Sequence, residues 1–166
     1  MKVEGEGREM ELESCVNFTI TKAQNSVFNY FKNKLAPLDV TPVQYAVLKC
    51  LWDCGDQLPT QIGQALCLDS STVTGILDRM EKKDLIERTN SETDRRAVNI
   101  RIKPLGKALR TDIEAAIKEA NEELLRDLNA EDIGRLWEIL DCICANVERL
   151  TKAASLESVQ VTMTRN

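Results

Sequence analysis

Apolar residues recur along most of this chain at spacings of three and four, which is the period of a helix that buries one face. The pattern predicts a first helix over about 13–35, with apolar positions at Val16, Ile20, Ala23, Val27, Tyr30, Phe31 and Leu35. A second helix is predicted over about 41–55. Thr41 can cap it, Pro42 suits its first turn and Gln44 can complete a capping box.

Two shorter helices are predicted next along the chain. One spans about 59–67, and the other is capped by Asp69 or Ser70 and ends near Lys83. Small or hydroxylated residues mark the exposed face of the second of these helices and its flanks, among them Ser71, Thr72, Thr74 and Gly75. Two short helices joined by a tight turn, of which the second exposes such residues, are typical of a helix-turn-helix.

The hydrophobic period changes from about 3.6 to about 2 after these helices, which predicts short strands over 86–89 and 97–102. Alternation in the second strand predicts three inward and two outward residues, namely Val98, Ile100 and Ile102 against Asn99 and Arg101. The polar segment between the strands predicts a hairpin tip. A basic hairpin directly after a candidate recognition helix indicates a wing.

A long helix is predicted from Pro104 to about residue 128, and a last helix from Asn129 to about residue 150. Both keep an apolar stripe throughout. A small winged domain cannot bury these two helices together with the first one. We therefore expect all three to pack against a second copy of the chain.

The predicted fold class is mainly α with a small β-wing. It combines a winged helix-turn-helix DNA-binding domain with a helical dimerisation region that both ends of the chain contribute. The predicted divisions are a flexible tail over 1–11, the dimerisation region over 12–36 and 104–153, the winged domain over 37–103 and a second flexible tail over 154–166.

Charge is distributed unevenly along the chain, whose formal net charge is −5. Residues 79–107 contain nine basic and five acidic side chains, so this stretch carries +4 and the remainder carries −9. A protein with this balance does not bind nucleic acid over its whole surface. A local basic face can still do so, because the field matters where the ligand lies.

Histidine is absent from the 166 residues, which excludes the usual zinc sites and every histidine-based catalytic triad. We therefore predict no enzyme, no metal and no cofactor. The first residues are acidic and lack an apolar core, and no apolar run approaches the roughly 20 residues that cross a bilayer. We expect no signal peptide, no membrane partner and a cytoplasmic location.

Two segments of the sequence carry a resemblance to a known family, namely LDSSTVTGILDRMEKKDLIERT and, after the loop, DRRAVNIRIKPLG. With the wing pattern Asp94-x-Arg96-Ala97, the stretch 41–109 resembles the MarR family of bacterial and archaeal transcription regulators. One departure is Asp84, which stands where the family usually places Gly after the recognition helix. That position favours a left-handed backbone, which Asp tolerates better than most other residues.

The resemblance implies that the chain binds a pseudo-palindromic double-stranded DNA operator as a homodimer. The recognition helix would enter the major groove, and Arg95 or Arg96 of the wing would enter a minor groove, with Asp94 orienting the other guanidinium. Arg79 would brace the helix against the DNA or contact a phosphate, and Arg88 is placed for a phosphate. The predicted DNA contacts are Ser70, Ser71, Thr72, Thr74, Gly75, Arg79, Arg88, Asp94, Arg95 and Arg96.

Some members of the family are released from DNA by small aromatic or anionic molecules, which implies an effector pocket. The candidates to line it are Phe28, Phe31, Tyr45 and Trp52. Other members respond to oxidation of a cysteine near the start of the first helix, where Cys15 is the candidate. No Lys or Arg lies near Cys15 before Lys22, which weakens the case for a reactive thiol. The five remaining cysteines are predicted to be small buried hydrophobes.

Three hypotheses for function follow. The leading one is a DNA-binding transcriptional regulator, a repressor released by a small-molecule effector. The alternatives are a repressor on the same scaffold that senses thiol oxidation, and a winged-helix module that binds protein instead of DNA.

Overall fold

The computed structural model describes residues 12–90 and 98–163, without the side chains of residues 13 and 154–163. Short 3-10 turns, Leu12–Ser14 and Ala36–Leu38, flank the first helix. The regular elements of this part of the chain follow in the order α1 (Val16–Leu35), α2 (Pro42–Cys54), α3 (Pro59–Leu66), α4 (Ser70–Lys82), β1 (Ile86–Asn90), β2 (Val98–Ile102), α5 (Pro104–Ala108), α6 (Arg110–Leu124) and α7 (Ala130–Met163). The predicted mainly helical fold with a small β-hairpin is confirmed.

The chain forms two compact units, Met1–Ala120 and Asn121–Asn166. In the described part of the first unit, one core collects side chains from five helices and both strands. Its largest fully buried residues are Leu35, Val47, Leu48, Ile62, Leu77, Met80, Ile86, Ile100 and Ile113. Burial of apolar surface stabilises a fold by about 25 cal/mol per Å². Because α4 and the hairpin share this core, the core fixes one against the other.

The start of α2 is held by the predicted capping box. The main-chain N–H of Gln44 donates to Oγ1 of Thr41 at 3.3 Å, and the N–H of Thr41 donates to Oε1 of Gln44 at 3.0 Å. Gln44 is itself buried. The cap gives its side-chain amide oxygen a hydrogen-bond donor, which a buried polar group requires.

A tight turn joins α3 to α4, as the sequence predicts for a helix-turn-helix. Cys67 adopts the left-handed conformation at φ 53°, and the N–H of Leu68 donates to the carbonyl oxygen of Gly63 at 2.9 Å. Asp69 caps α4, which decides between the two candidates for that role. The predicted left-handed residue follows the end of α4, where Asp84 lies at φ 60°. The carboxylate of Asp84 pairs with Lys103.

The hairpin pairs β1 with β2 in antiparallel register, from Ile86 opposite Ile102 to Asn90 opposite Val98. The predicted alternation is correct for Ile100, which is buried, and wrong for Val98, which is 39% exposed. Val98 lies at the outer end of the hairpin, where the pair of strands has passed beyond the core. Asn99, predicted to face outward, is half-buried.

A third segment extends the hairpin, which the sequence did not indicate. Gln57 forms an antiparallel bridge with Ile100, and the two N–H···O distances are 3.1 and 2.7 Å. The bridge ties the segment between α2 and α3 to the wing strand. A single bridging residue leaves no hydrophobic period in the sequence, so no pattern could have predicted it.

The long helix predicted from Pro104 is interrupted at Leu109, where α5 ends and α6 begins. The interruption is slight, because Leu109 keeps helical dihedral angles of φ −72° and ψ −9°. In the second unit, Asn129 caps α7 as predicted, with the N–H of Asp132 donating to its Oδ1 at 2.9 Å. The helix continues past its predicted end near residue 150 to Met163, and the sequence after Gly134 contains no Gly or Pro to end it earlier.

The prediction that five cysteines are buried is wrong. Cys54, Cys67, Cys142 and Cys144 are exposed, and Cys50 is half-buried. Cys54 and Cys67 lie at a helix end and in a tight turn, and the other two lie on α7. Burial raises the pKa of the Cys50 thiol, which favours its neutral form.

Among the described residues, no helix combines the length and the apolar character needed to cross a bilayer.

Gly106 of α5 is buried where no side chain can be accommodated. A Cβ at this position would collide with the main-chain oxygen of Leu85 and lie 2.9 Å from Cγ1 of Ile102. The carbonyl oxygen of Gly106 also accepts the indole N–H of Trp52 at 3.2 Å. This close approach joins α5 to α2 and to the base of the hairpin.

We predict opposite effects for two Gly-to-Ala substitutions. Gly106→Ala should lower the free energy of unfolding by about 1–3 kcal/mol, because the added methyl group overpacks the core. Gly134→Ala is the control, since a Cβ there meets nothing within 4 Å, and it should raise the free energy by roughly 0.5–1 kcal/mol. Urea unfolding of the two variants checks this. Equal effects would show that Gly106 is not tightly packed.

Candidate nucleic-acid interface

The start of α4 is organised by the carboxylate of Asp69. This carboxylate accepts the main-chain N–H of Thr72 at 2.9 Å, the hydroxyl of Thr72 at 2.6 Å and the hydroxyl of Ser71 at 2.5 Å. The two hydroxyl donors, followed by the main-chain donor, hold the pKa of Asp69 well below its ordinary value of 3.8. Asp69 is therefore ionised at neutral pH and fixes the rotamers of both hydroxyl side chains.

Three hydroxyl groups at this end of α4 already donate their protons within the protein. Ser71 and Thr72 donate to Asp69, and Thr74 donates to the main-chain oxygen of Ser70 at 2.8 Å. A hydroxyl group has one proton and two lone pairs. In this arrangement the three side chains therefore offer acceptors to an outside partner. Adenine N6 and cytosine N4 are the donors that the major groove presents to such acceptors.

The other predicted contacts on α4 also lie at the surface. Ser70, Ser71, Thr72, Thr74 and Arg79 are exposed, and Gly75 is half-buried. A Cβ at Gly75 would have Nη1 of Arg79 as its nearest neighbour, at 3.6 Å, which is an ordinary contact. Packing within the chain therefore does not require Gly at position 75.

Arg88 does not stand free at the surface. Its Nη2 lies 2.6 Å from Oδ1 of Asp78, and its Nη1 pairs with Oε2 of Glu81. The phosphate contact expected for Arg88 stays a prediction, and a phosphate would have to compete with these two carboxylates. The predicted wing residues Asp94, Arg95 and Arg96 lie outside the described residues.

Two of the four aromatic residues predicted for an effector pocket lie next to each other. The rings of Tyr45 and Trp52 lie 6.4 Å apart, while Phe31 makes an edge contact with Tyr30 at 6.0 Å. Phe28 and Phe31 lie half-buried on α1. Burial raises the pKa of Tyr45, so its phenol is neutral at physiological pH.

A surface cavity of about 370 Å³, which no sequence pattern predicted, lies against Trp52. Its lining does not include Phe28, Phe31 or Tyr45, and consists of Leu51, Trp52, Gly55, Asp56, Arg101, Ile102, Lys107 and Arg110. Two of its cations have internal partners, because Arg101 pairs with Asp56 at 2.7 Å and Arg110 pairs with Glu114 at 3.1 Å. The guanidinium of Arg110 also lies 5.7 Å from the centre of the Trp52 ring.

A second cavity of about 500 Å³ lies along the helix-turn-helix. It is lined from α3, from the turn and from the start of α4 by Pro59, Thr60, Gly63, Gln64, Cys67, Leu68, Ser70, Val73 and Thr74. Ser70 and Thr74 belong to the predicted DNA contacts. A molecule in this groove would therefore lie beside the surface expected to meet DNA.

Cys15, the candidate redox residue, immediately precedes α1 and is half-buried. Its position near the start of the first helix is as predicted, and any reactivity of its thiol stays a prediction. Over the residues that the structure describes, no three Cys, Asp or Glu side chains are grouped so that they could hold a metal ion.

Comparison with known proteins identifies the fold and the family. The model of the MarR family matches residues 40–98. The HTH-type transcriptional regulator MgrA of Staphylococcus aureus is 33% identical over 127 residues, which are 75% of this chain and 86% of MgrA. The chain belongs to the MarR family. It is a winged-helix, DNA-binding transcriptional regulator, as the sequence predicts.

Two further relatives support the assignment to the MarR family. The HTH-type transcriptional regulator MhqR of Bacillus subtilis is 28% identical over 130 residues, or 78% of this chain and 90% of MhqR. The transcriptional repressor CouR, solved bound to a 23-mer DNA duplex, matches with a TM-score of 0.72 at 28% identity. That match covers 82% of this chain and 97% of CouR.

We predict that Asp69 makes the stability of this regulator sensitive to acid. Because the fold lowers the pKa of Asp69, its stabilising contribution is complete above the ordinary value of 3.8 and is lost as the pH falls through the lower folded value. Asn caps helices without titrating in this range. The stability advantage of the wild type over Asp69→Asn should therefore be constant near neutrality and shrink below pH 4.

Urea unfolding between about pH 6 and pH 2.5 measures this difference. Asp127→Asn, in the turn after α6, is the control for removal of one negative charge. An advantage over Asp69→Asn that stays constant to the lowest pH would show that the Ser71 and Thr72 hydrogen bonds do not stabilise the ionised carboxylate.

Proposed function

We propose that this MarR-family regulator is a repressor that binds a pseudo-palindromic operator as a homodimer and is released by a small aromatic or anionic effector. The observation that carries the proposal is the polar outer face of α4. That helix exposes Ser and Thr directly after the turn from α3 and leads into the hairpin. CouR, a relative with the same fold, bears the name of a repressor and was solved on a DNA duplex.

In the proposed complex, α4 enters the major groove and the wing follows the adjacent minor groove. Ser70, Ser71, Thr72, Thr74 and Gly75 are the proposed contacts to base edges and backbone. Arg79 is exposed on the same helix and is proposed to meet a phosphate. The proposed wing contact is Arg95 or Arg96 inserted into the minor groove, with Asp94 orienting the other arginine.

The proposal of a homodimer is supported by uncovered apolar faces. On α7, apolar residues are spaced alternately by three and four along one stripe, at Ile133, Leu136, Leu140, Ile143, Val147 and Leu150. Val147 is 57% exposed and Leu150 is 67% exposed in the single chain. On α1, Val16 is 62% exposed. A two-fold dimer would cover such faces and present two copies of α4 to two half-sites.

The effector is proposed to be aromatic or anionic, and the proposed pocket residues are Phe28, Phe31, Tyr45 and Trp52. Trp52 supports this choice, because its ring lies beside Tyr45 and also lines a cavity with cationic side chains. The proposal assigns the chain no catalytic activity, in keeping with relatives named as regulators. It also places the chain in the cytoplasm, together with chromosomal DNA.

We predict that Arg96→Ala abolishes specific operator binding and leaves the dimer intact. The loss follows because a minor-groove arginine supplies both a favourable charge interaction and shape recognition. Fluorescence anisotropy with duplexes from the chain's own promoter region checks the affinity, and light scattering checks the mass. Arg126→Ala, in the turn after α6, is the control. Wild-type affinity in Arg96→Ala would exclude Arg96 as the residue that makes the wing contact.

We also predict that Leu140→Glu dissociates the dimer, because it places a charge in the apolar stripe of α7. Ala145→Glu introduces the same side chain on the opposite face of that helix and should leave the dimer intact. Sedimentation velocity of both variants at equal concentration measures the change. A dimer that survives Leu140→Glu would show that the stripe is not the interface between the copies.

A further inference from the structure

Arg88 connects the wing to the recognition helix at two points. From the middle of β1, its guanidinium reaches Asp78 and Glu81 of α4, and its main-chain N–H also donates to Oε1 of Glu81 at 3.3 Å. The two carboxylates lie three residues apart, on one face of α4. A planar guanidinium has donors in several directions, so one side chain can bind both. We call Arg88, Asp78 and Glu81 the Arg88 clamp.

The electrostatics of the clamp argue against a phosphate contact by Arg88. One guanidinium stands against two carboxylates, so the cluster carries one net negative charge. A phosphate approaching Arg88 would meet Asp78, whose side chain is half exposed, and Glu81. The positive charge of Arg88 is therefore already neutralised by Asp78 and Glu81.

The Arg88 clamp lies at the junction that sets the angle between the recognition helix and the wing. Only the short segment 83–85 separates the end of α4 from the start of β1, and Asp84 in its centre is left-handed. Buried packing of Met80 and Ile86 holds the inner side of this junction. The Arg88 clamp holds its outer side. Recognition helix and wing must keep one angle if they are to reach two neighbouring grooves at once.

We propose that Arg88 is a positioning residue for DNA binding, which fixes the wing against the recognition helix and binds no phosphate itself. The inference rests on the proposed binding of an operator. Partly exposed ion pairs contribute little to global stability. Loss of the clamp should therefore change the affinity for DNA much more than the temperature of unfolding.

Two substitutions at Arg88 separate the roles. Arg88→Gln removes the charge, and Arg88→Lys keeps it on a compact ammonium group, which lacks the planar fork whose two Nη atoms reach Asp78 and Glu81 separately. Both should weaken operator binding by about tenfold, within the range of coupled networks of this kind. Affinity close to that of the wild type in Arg88→Lys, with a loss only in Arg88→Gln, would overturn the proposal in favour of a phosphate contact.

A double-mutant cycle tests the proposal a second time. The sign of the coupling between Arg88 and the two carboxylates decides the outcome. The substitutions Asp78→Asn and Glu81→Gln are made together, once in the wild type and once in Arg88→Gln. The fold-change in operator affinity that they cause is then compared between the two backgrounds. The general gain from removing negative charge near DNA is the same in both backgrounds and cancels. The clamp predicts that the change is less favourable when Arg88 is present. A more favourable change would mean that the carboxylates only hold Arg88 away from a phosphate.

A measurement without DNA keeps this inference separate from the proposed function. Hydrogen exchange of the β1 and β2 amides should be faster in Arg88→Gln and Arg88→Lys than in the wild type, because the wing is less firmly held. Arg101→Gln is the control for loss of a positive charge from the hairpin, since Arg101 lies on β2 and pairs with Asp56. Unchanged exchange would overturn the clamp. Failure of the wild type to bind any operator would overturn the proposed function while leaving the exchange result valid.

Discussion

Burial of one face of α4 in the core orients both this helix and the hairpin that follows it. Val73, Ile76, Leu77 and Met80 follow the helical period and are all buried. Their packing fixes the rotation of α4 about its axis, because a shift by one residue would turn the apolar face out of the core by about 100°. The outward direction of Ser71 and Thr74 follows from that rotation, and so does the point from which the hairpin starts.

Local signals in the sequence predicted the caps and turns correctly. Thr41 and Gln44 form their capping box, and Asn129 caps α7. Each of these features is decided by residues within four positions of one another, so the sequence alone contains the necessary information. The order of helices, hairpin and long final helix followed from the hydrophobic period for the same reason.

Features that depend on distant residues could not be predicted in this way. The ion pairs of Arg88 could not be predicted, because its partners Glu81 and Asp78 lie seven and ten residues earlier, on a different element. The bridge from Gln57 to Ile100 and the exposure of Val98 depend on where the core ends in three dimensions. Counting charges also overstated the basic character of 79–107, since Lys83, Arg88, Arg101 and Lys103 are all ion-paired.

These ion pairs leave less positive charge for DNA on the described surface, which increases the importance of the wing arginines and of a second copy of the chain. The most direct test is a hydroxyl-radical footprint on DNA from the chain's own locus at low salt. Binding as a homodimer predicts two protected half-sites, related by a two-fold axis and about one helical turn apart. An unprotected duplex, or a single protected half-site with no symmetry, would contradict it.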